Sequence, residues 1–169
     1  EGYDEIVVDI NGEEIEKKGT SSALVRGVLV ALINNGYKVG GFNAYFTSNV
    51  LSGAGISSSA SFEVLIAEIE NFLYNDNSVS QEDKAIVSQF AENKYFGKPC
   101  GLMDQMACSV GNLVHIDFEN PKDPKVEKLD FNMSEHGYSL CITDTKGSHA
   151  DLTAEYAAVP QEMKRVANH

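Results

Sequence analysis

A glycine-rich turn that runs straight into serines and then into an amphipathic helix constrains this chain more than any other feature. The run is Gly53-Ala54-Gly55-Ile56-Ser57-Ser58-Ser59-Ala60-Ser61, and Phe62, Leu65, Ile66, Ile69, Phe72 and Leu73 follow at helical spacing. Glycines let a backbone turn tightly and approach a ligand closely. The first turn of the helix then offers unpaired N–H groups and the positive end of a dipole, which together favour phosphate. Serine hydroxyls can bind phosphate oxygens or a Mg²⁺ ion carried by a nucleotide. A helix cap alone needs one serine, not a run of them.

Other phosphate and nucleophile motifs are excluded by their own residues. A Walker-type loop ends in Gly-Lys-Ser or Gly-Lys-Thr, and no lysine lies between Lys38 and Lys84. A dinucleotide fingerprint needs a third glycine where this chain has serine. A nucleophile elbow needs glycine where Ser59 stands.

A second segment, Gly97-Lys98-Pro99-Cys100-Gly101-Leu102-Met103-Asp104-Gln105-Met106, follows an expected helix from Ser80 to Phe96. Glycine and proline break that helix, and the chain re-enters with an acid beside an amide. A phosphate loop plus an acid is what phosphoryl transfer to a hydroxyl requires: the loop holds the nucleotide, and the carboxylate takes or orients the hydroxyl proton. Glu92, twelve residues before Asp104, adds a carboxylate suited to Mg²⁺, although by default it reads as a surface helix acid.

These residues resemble the GHMP small-molecule kinases, and the wording Cys-Gly-Leu-Met-Asp-Gln at Cys100–Gln105 is specific to their galactokinase branch. The likeness runs from about Tyr37 to the end of the chain, and more weakly from Thr20. It implies the ribosomal-S5-like fold and transfer of the γ-phosphoryl group of ATP to the anomeric hydroxyl of galactose. Asp104 matches the catalytic aspartate. Gly53, Ala54, Gly55, Ser57, Ser58 and Ser59 match the nucleotide loop. Ser58 or Ser59, with Glu92, matches the Mg²⁺ ligands, and Gly101 and Tyr156 match sugar contacts. The cell compartment implied is the cytoplasm.

Some of the family pattern is absent. The N-terminal motif that supplies a catalytic arginine and several sugar contacts has no counterpart, and the only arginines are Arg26 and Arg165. The C-terminal glycine-rich motif is missing, and Leu51 replaces the usual loop proline. The expectation is therefore one domain over residues 1–169, the greater part of a nucleotide-binding N-terminal domain, with negligible turnover on its own because transition-state charge is under-compensated. A non-catalytic sugar and ATP sensor, or a kinase for a related sugar, is the alternative.

Composition fits a globular chain, with 43% apolar and 22% charged residues. A net charge of −12 argues against nucleic acid or an anionic membrane as partner. A bound nucleotide must then be held by local dipoles and Mg²⁺ against the field of the whole molecule. No stretch reads as a membrane span. Cys100, Cys108 and Cys141 lack disulfide or zinc spacing, and Cys100 reads as a wall or core thiol.

The remaining pattern predicts α+β. Strands are expected at Ile6–Ile10, ended by an Asn11-Gly12 turn, and at Phe42–Phe46, Leu113–Phe118, Val126–Phe131 and Tyr138–Thr143. Helices are expected from Ser21 or Ser22 to Gly36, over 57–74, from a capping box at Ser80, and from about His149 with a new turn at Pro160.

Overall fold

The computed structural model describes residues 6–10, 17–50, 55–120, 123–143 and 153–168. In chain order the elements are α1 (Ser21–Asn34), α2 (Ser58–Tyr74), α3 (Gln81–Phe90) continued by a π-helical turn (Ala91–Phe96), α4 (Met103–Val110), β1 (Leu113–Asp117), β2 (Lys125–Leu129), a short 3₁₀ turn (Ser134–His136) and α5 (Thr153–Ala167). Helices and a small antiparallel sheet together make an α+β arrangement.

Helix α1 starts one residue earlier than the serines suggest. Thr20 is the cap, its hydroxyl accepting from the Ala23 N–H at 3.2 Å. The helix stops at Gly36, whose φ of +83° only glycine adopts cheaply, with Tyr37 N–H donating back to the Leu32 carbonyl at 3.0 Å. Val28 and Leu32 are fully buried and pack with Ile66, Ala67, Val79, Val87 and Ala91. Gly27 lets α1 approach the π turn closely, since a Cβ there would lie 2.8 Å from the Ala91 Cα.

Helix α2 is turned differently from the expected apolar face. Leu65, Phe72 and Leu73 are exposed, while Ala60, Glu63, Val64, Ala67, Glu70 and Asn71 face inward with Ile66. The small alanines admit close neighbours, and several of the inward polar groups have partners. Asn71 Oδ1 accepts from the Val79 N–H at 2.9 Å, and a Glu70 carboxylate oxygen accepts from the Gly40 N–H at 3.1 Å.

Those side chains also explain one missing strand. The segment after Tyr37 is held by α2 rather than by a ladder: Asn75 accepts from the Lys38 N–H and donates to its carbonyl, at 2.9 and 2.8 Å. Phe42 packs on the core and Phe46 meets Phe62 edge-on, but Phe42–Phe46 is not a strand. Ile6–Ile10 likewise forms no strand, although Val8 and Ile10 turn inward. Residues 138–143 are exposed and irregular. The Asn11-Gly12 turn and His149 lie outside the described residues.

The Ser80 cap is present, its hydroxyl accepting from the Asp83 N–H at 3.0 Å. The Asp83 carboxylate accepts from the Tyr37 hydroxyl, tying the end of α1 to the start of α3. Strands β1 and β2 pair from Leu113 opposite Leu129 to Asp117 opposite Lys125. Ile116 and Val126 pack on Ala85, Leu102 and Met106, so the hairpin lies against α3 and α4. Helix α5 continues through Pro160 instead of opening a new turn there. It is largely solvent-exposed, so the carbonyl freed by the proline can be met by water.

Candidate active site

Three pieces of backbone converge: the start of α2, the π turn after α3, and the start of α4. Ser57 stands at the cap position of α2 with φ +60° and ψ +39°, a left-handed conformation that is costly for a residue with a Cβ. In that conformation its hydroxyl makes no capping bond. The N–H groups that open α2 are thus not answered by the side chain that usually answers them, which is the arrangement of an anion-binding helix start. Gly55 precedes it at φ +73°. Gly53 and Ala54 lie outside the described residues.

Ser59, the second residue of α2, points at the π turn and donates to Glu92 Oε1 at 2.9 Å. Glu92 is not the surface acid its sequence context suggests; it is 2% exposed. A π turn widens the helix by one residue and often occurs at functional sites. Glu92 carries two further contacts. The Lys98 ammonium lies 3.3 Å from Oε1, and Gln105 Nε2 donates to Oε2 at 2.7 Å. Gln105 also donates to Glu63 Oε2 at 3.2 Å. Glu63 and Gln105 are both fully buried.

The Glu63 carboxyl is pushed up to about 9, first by burial and then by the charge of Glu92, against the opposing pull of Gln105 and Lys98. Glu63 is therefore a neutral acid at pH 7. Cys100 lies beside the same group, with Gln105 Nε2 3.6 Å from its sulfur. Burial and Glu92 push its thiol up to about 12, which removes it as a nucleophile. The loop that carries Cys100 is pinned by Asn93, whose Oδ1 accepts from the Cys100 N–H at 2.8 Å and whose amide donates to the Cys100 carbonyl at 3.3 Å.

Asp104 and Gln105 are consecutive in the first turn of α4. One step around a helix separates them by about 100°, so Asp104 is exposed while Gln105 is buried. Gly101 is exposed, and a Cβ there would meet nothing within 4 Å, leaving room for a ligand. Tyr156 stands on α5, which is not among the helices packed around Glu92, and its side chain lies outside what the structure describes. Ser58 is half-buried in the first turn of α2; it is Ser59 that meets Glu92.

The structure thus joins Ser59 to Glu92 and places Asp104 next to the buried amide that holds Glu92. Sequence reading missed Glu63 and Gln105. The signal for Glu63 was present: it and Glu70 fall on the stripe of Ala60 and Ala67, seven residues apart. For Gln105 only its place beside Asp104 pointed to it.

Residues 23–112 match the model of the GHMP kinases N-terminal domain, so the chain belongs to the GHMP kinase family. Its similar curated relatives are galactokinases. That of Pyrococcus furiosus is 37% identical over 155 residues, covering 92% of this chain and 42% of the relative. That of Clostridium tetani is 42% identical over 106 residues, covering 62% of this chain and 27% of the relative. That of Streptomyces coelicolor is 36% identical over 135 residues, covering 80% and 35%. The chain therefore spans less than half the length of each.

Among the described residues no helix is long and apolar enough to cross a membrane. Nor do any three His, Cys, Asp or Glu side chains there form a group that could hold a metal ion.

Proposed function

We propose that this chain is the nucleotide-binding part of an ATP-dependent sugar kinase that phosphorylates the anomeric hydroxyl of galactose. The observation that carries the reading is the meeting of Ser59 and Glu92 at the uncapped start of α2. The similarity to galactokinases supports the choice of sugar. The ribosomal-S5-like fold, one domain over residues 1–169 and a cytoplasmic setting belong to the same reading.

The loop from Gly53 through Ala54 and Gly55 to Ser57–Ser59 receives the phosphates. Ser59 Oγ and Glu92 Oε1 are hard oxygen donors side by side, and they fit Mg²⁺, which takes one or two protein oxygens and completes its shell with phosphate and water. Mg²⁺ when bound would neutralise charge on the phosphates. Ser58 is the second hydroxyl in reach of the nucleotide. Lys98 must leave Glu92 Oε1 for the ion to enter, and its side chain, 40% exposed, is free to do so.

Asp104 faces outward at the start of α4, where it can take the proton of the attacking hydroxyl. Gly101 and Tyr156 are assigned to the sugar. With no arginine other than Arg26 and Arg165, the chain alone is expected to turn over negligibly. Robust formation of galactose-1-phosphate by the purified chain would contradict that.

Calorimetric titration with Mg·ATP tests the nucleotide half, using the chain and a Ser58→Ala/Ser59→Ala variant. Binding that is lost in the variant supports the reading, and no binding by the unmodified chain overturns it. Repeating the titration with galactose separates a kinase for this sugar from one for another. A sensor built on the same scaffold would bind both ligands and still require no Asp104.

A further inference from the structure

We propose that Gln105 is the positioning residue of the cation site: its buried amide orients the Glu92 carboxylate toward a nucleotide-bound Mg²⁺ and ties it to the helix that carries Asp104. The inference rests on the function proposed above.

An amide nitrogen has two hydrogens, and Gln105 has a carboxyl for each, Glu92 Oε2 at 2.7 Å and Glu63 Oε2 at 3.2 Å. These contacts fix which way the amide points, because the flipped amide would set its oxygen against the Glu92 carboxylate. The result divides Glu92 in two. Oε2 is held inward by Gln105, and Oε1 is left facing Ser59 and Lys98. A carboxylate held in that way presents one oxygen to an incoming ion.

A further fact separates this role from simple packing. Gln105 Oε1 and Glu63 Oε1 are buried and have no hydrogen-bond partner in the structure. A side chain needed only to fill the space would better be apolar, since an unmet buried carbonyl is a cost. The chain step from Gln105 to Asp104 then places the proposed base at a set distance from the proposed cation ligand.

The test is Mn²⁺ binding in the presence of a non-hydrolysable ATP analogue, read by electron paramagnetic resonance, for the unmodified chain, Gln105→Met and Val87→Ala. Val87 is buried among apolar side chains of the core and controls for lost packing. Partners that orient a metal ligand typically contribute about 10- to 100-fold in metal affinity. The expected result is at least fivefold weaker Mn²⁺ binding by Gln105→Met, with Val87→Ala within twofold of the unmodified chain at a comparable loss of Tm. If Gln105→Met does not fold, Gln105→Asn takes its place and is judged by the same threshold. A change of less than fivefold, or an equal loss in Val87→Ala, overturns the positioning role. Absence of Mn²⁺–nucleotide binding by the unmodified chain overturns the kinase reading and this inference together.

Discussion

The hydroxyl of Ser59 donates to Oε1 of Glu92 across 33 residues of sequence, at 2.9 Å. The two groups act as one ligand set in the proposed site, so their effects on nucleotide binding should not add. Ser59→Ala and Glu92→Gln should each weaken Mg·ATP binding by tenfold or more, while the double variant should be little worse than Glu92→Gln alone. A double-mutant cycle measured by calorimetry checks this, and full additivity would show that the two do not share a ligand.

Lys98 lies on the oxygen that the ion would take. Its ammonium competes with the cation, so Lys98→Met should tighten Mn²⁺ binding severalfold when nucleotide is present. Weaker binding would instead place Lys98 on the phosphates. The same electron paramagnetic resonance titration decides between them.

Glu63 gives the fold a pH dependence. Its carboxyl titrates near 9 when folded, against an ordinary value of 4.5. Between those values the folded chain holds a proton that the unfolded chain has released, so stability falls as pH rises through that window. The stabilisation is complete below the ordinary value and is lost above the folded one, with a slope of at most about 1.4 kcal/mol per pH unit. Glu63→Gln keeps the shape and removes the titration. Urea unfolding at pH 6 and pH 8.5 should show a larger loss of stability in the unmodified chain than in Glu63→Gln, and parallel losses would contradict the assignment.

The cysteines should differ in reactivity. Cys141 is exposed, whereas Cys100 and Cys108 are partly buried with thiols raised by burial and by nearby carboxylates. Brief treatment with iodoacetamide at pH 8, followed by peptide mass spectrometry, should label Cys141 first and Cys100 last. Early labelling of Cys100 would mean that its surroundings are open in solution.

Gly27→Ala tests the close approach of α1 to the π turn. Alanine in a helix interior gains about 1 kcal/mol over glycine. Here its Cβ would sit 2.7 Å from the Ala91 Cβ and 2.8 Å from its Cα, and backbone cannot move aside cheaply. Overpacking of this kind costs about 1–3 kcal/mol. The net expectation is a loss of stability, seen as a lower urea midpoint; a gain would show that the helices can part.

Local signals survived into the structure where their partners are local. Ser80 caps α3 and Gly36 ends α1 because capping needs only neighbouring backbone. The alternation at Val8 and Ile10 correctly marks the inward side, yet makes no strand, since a strand also needs a ladder partner that no local pattern supplies. The face of α2 was misjudged for the opposite reason. Apolar content pointed to Leu65 and Phe72, while Glu63, Glu70 and Asn71 turned inward to partners 42, 30 and 8 residues away. At the site, Ser59, Glu92 and Asp104 were visible as residue types. The amide of Gln105 became visible only once the helices were packed.

The π turn at Ala91–Phe96 makes this site a matter of residue count as well as residue identity. Removing one residue from the turn would restore the α spacing and carry everything after it about 100° round the axis and 1.5 Å back along it. Lys98 would then swing off Glu92, and Cys100 would no longer meet Asn93. Every side chain of the site could be kept in such a shortened chain, and the site would still come apart.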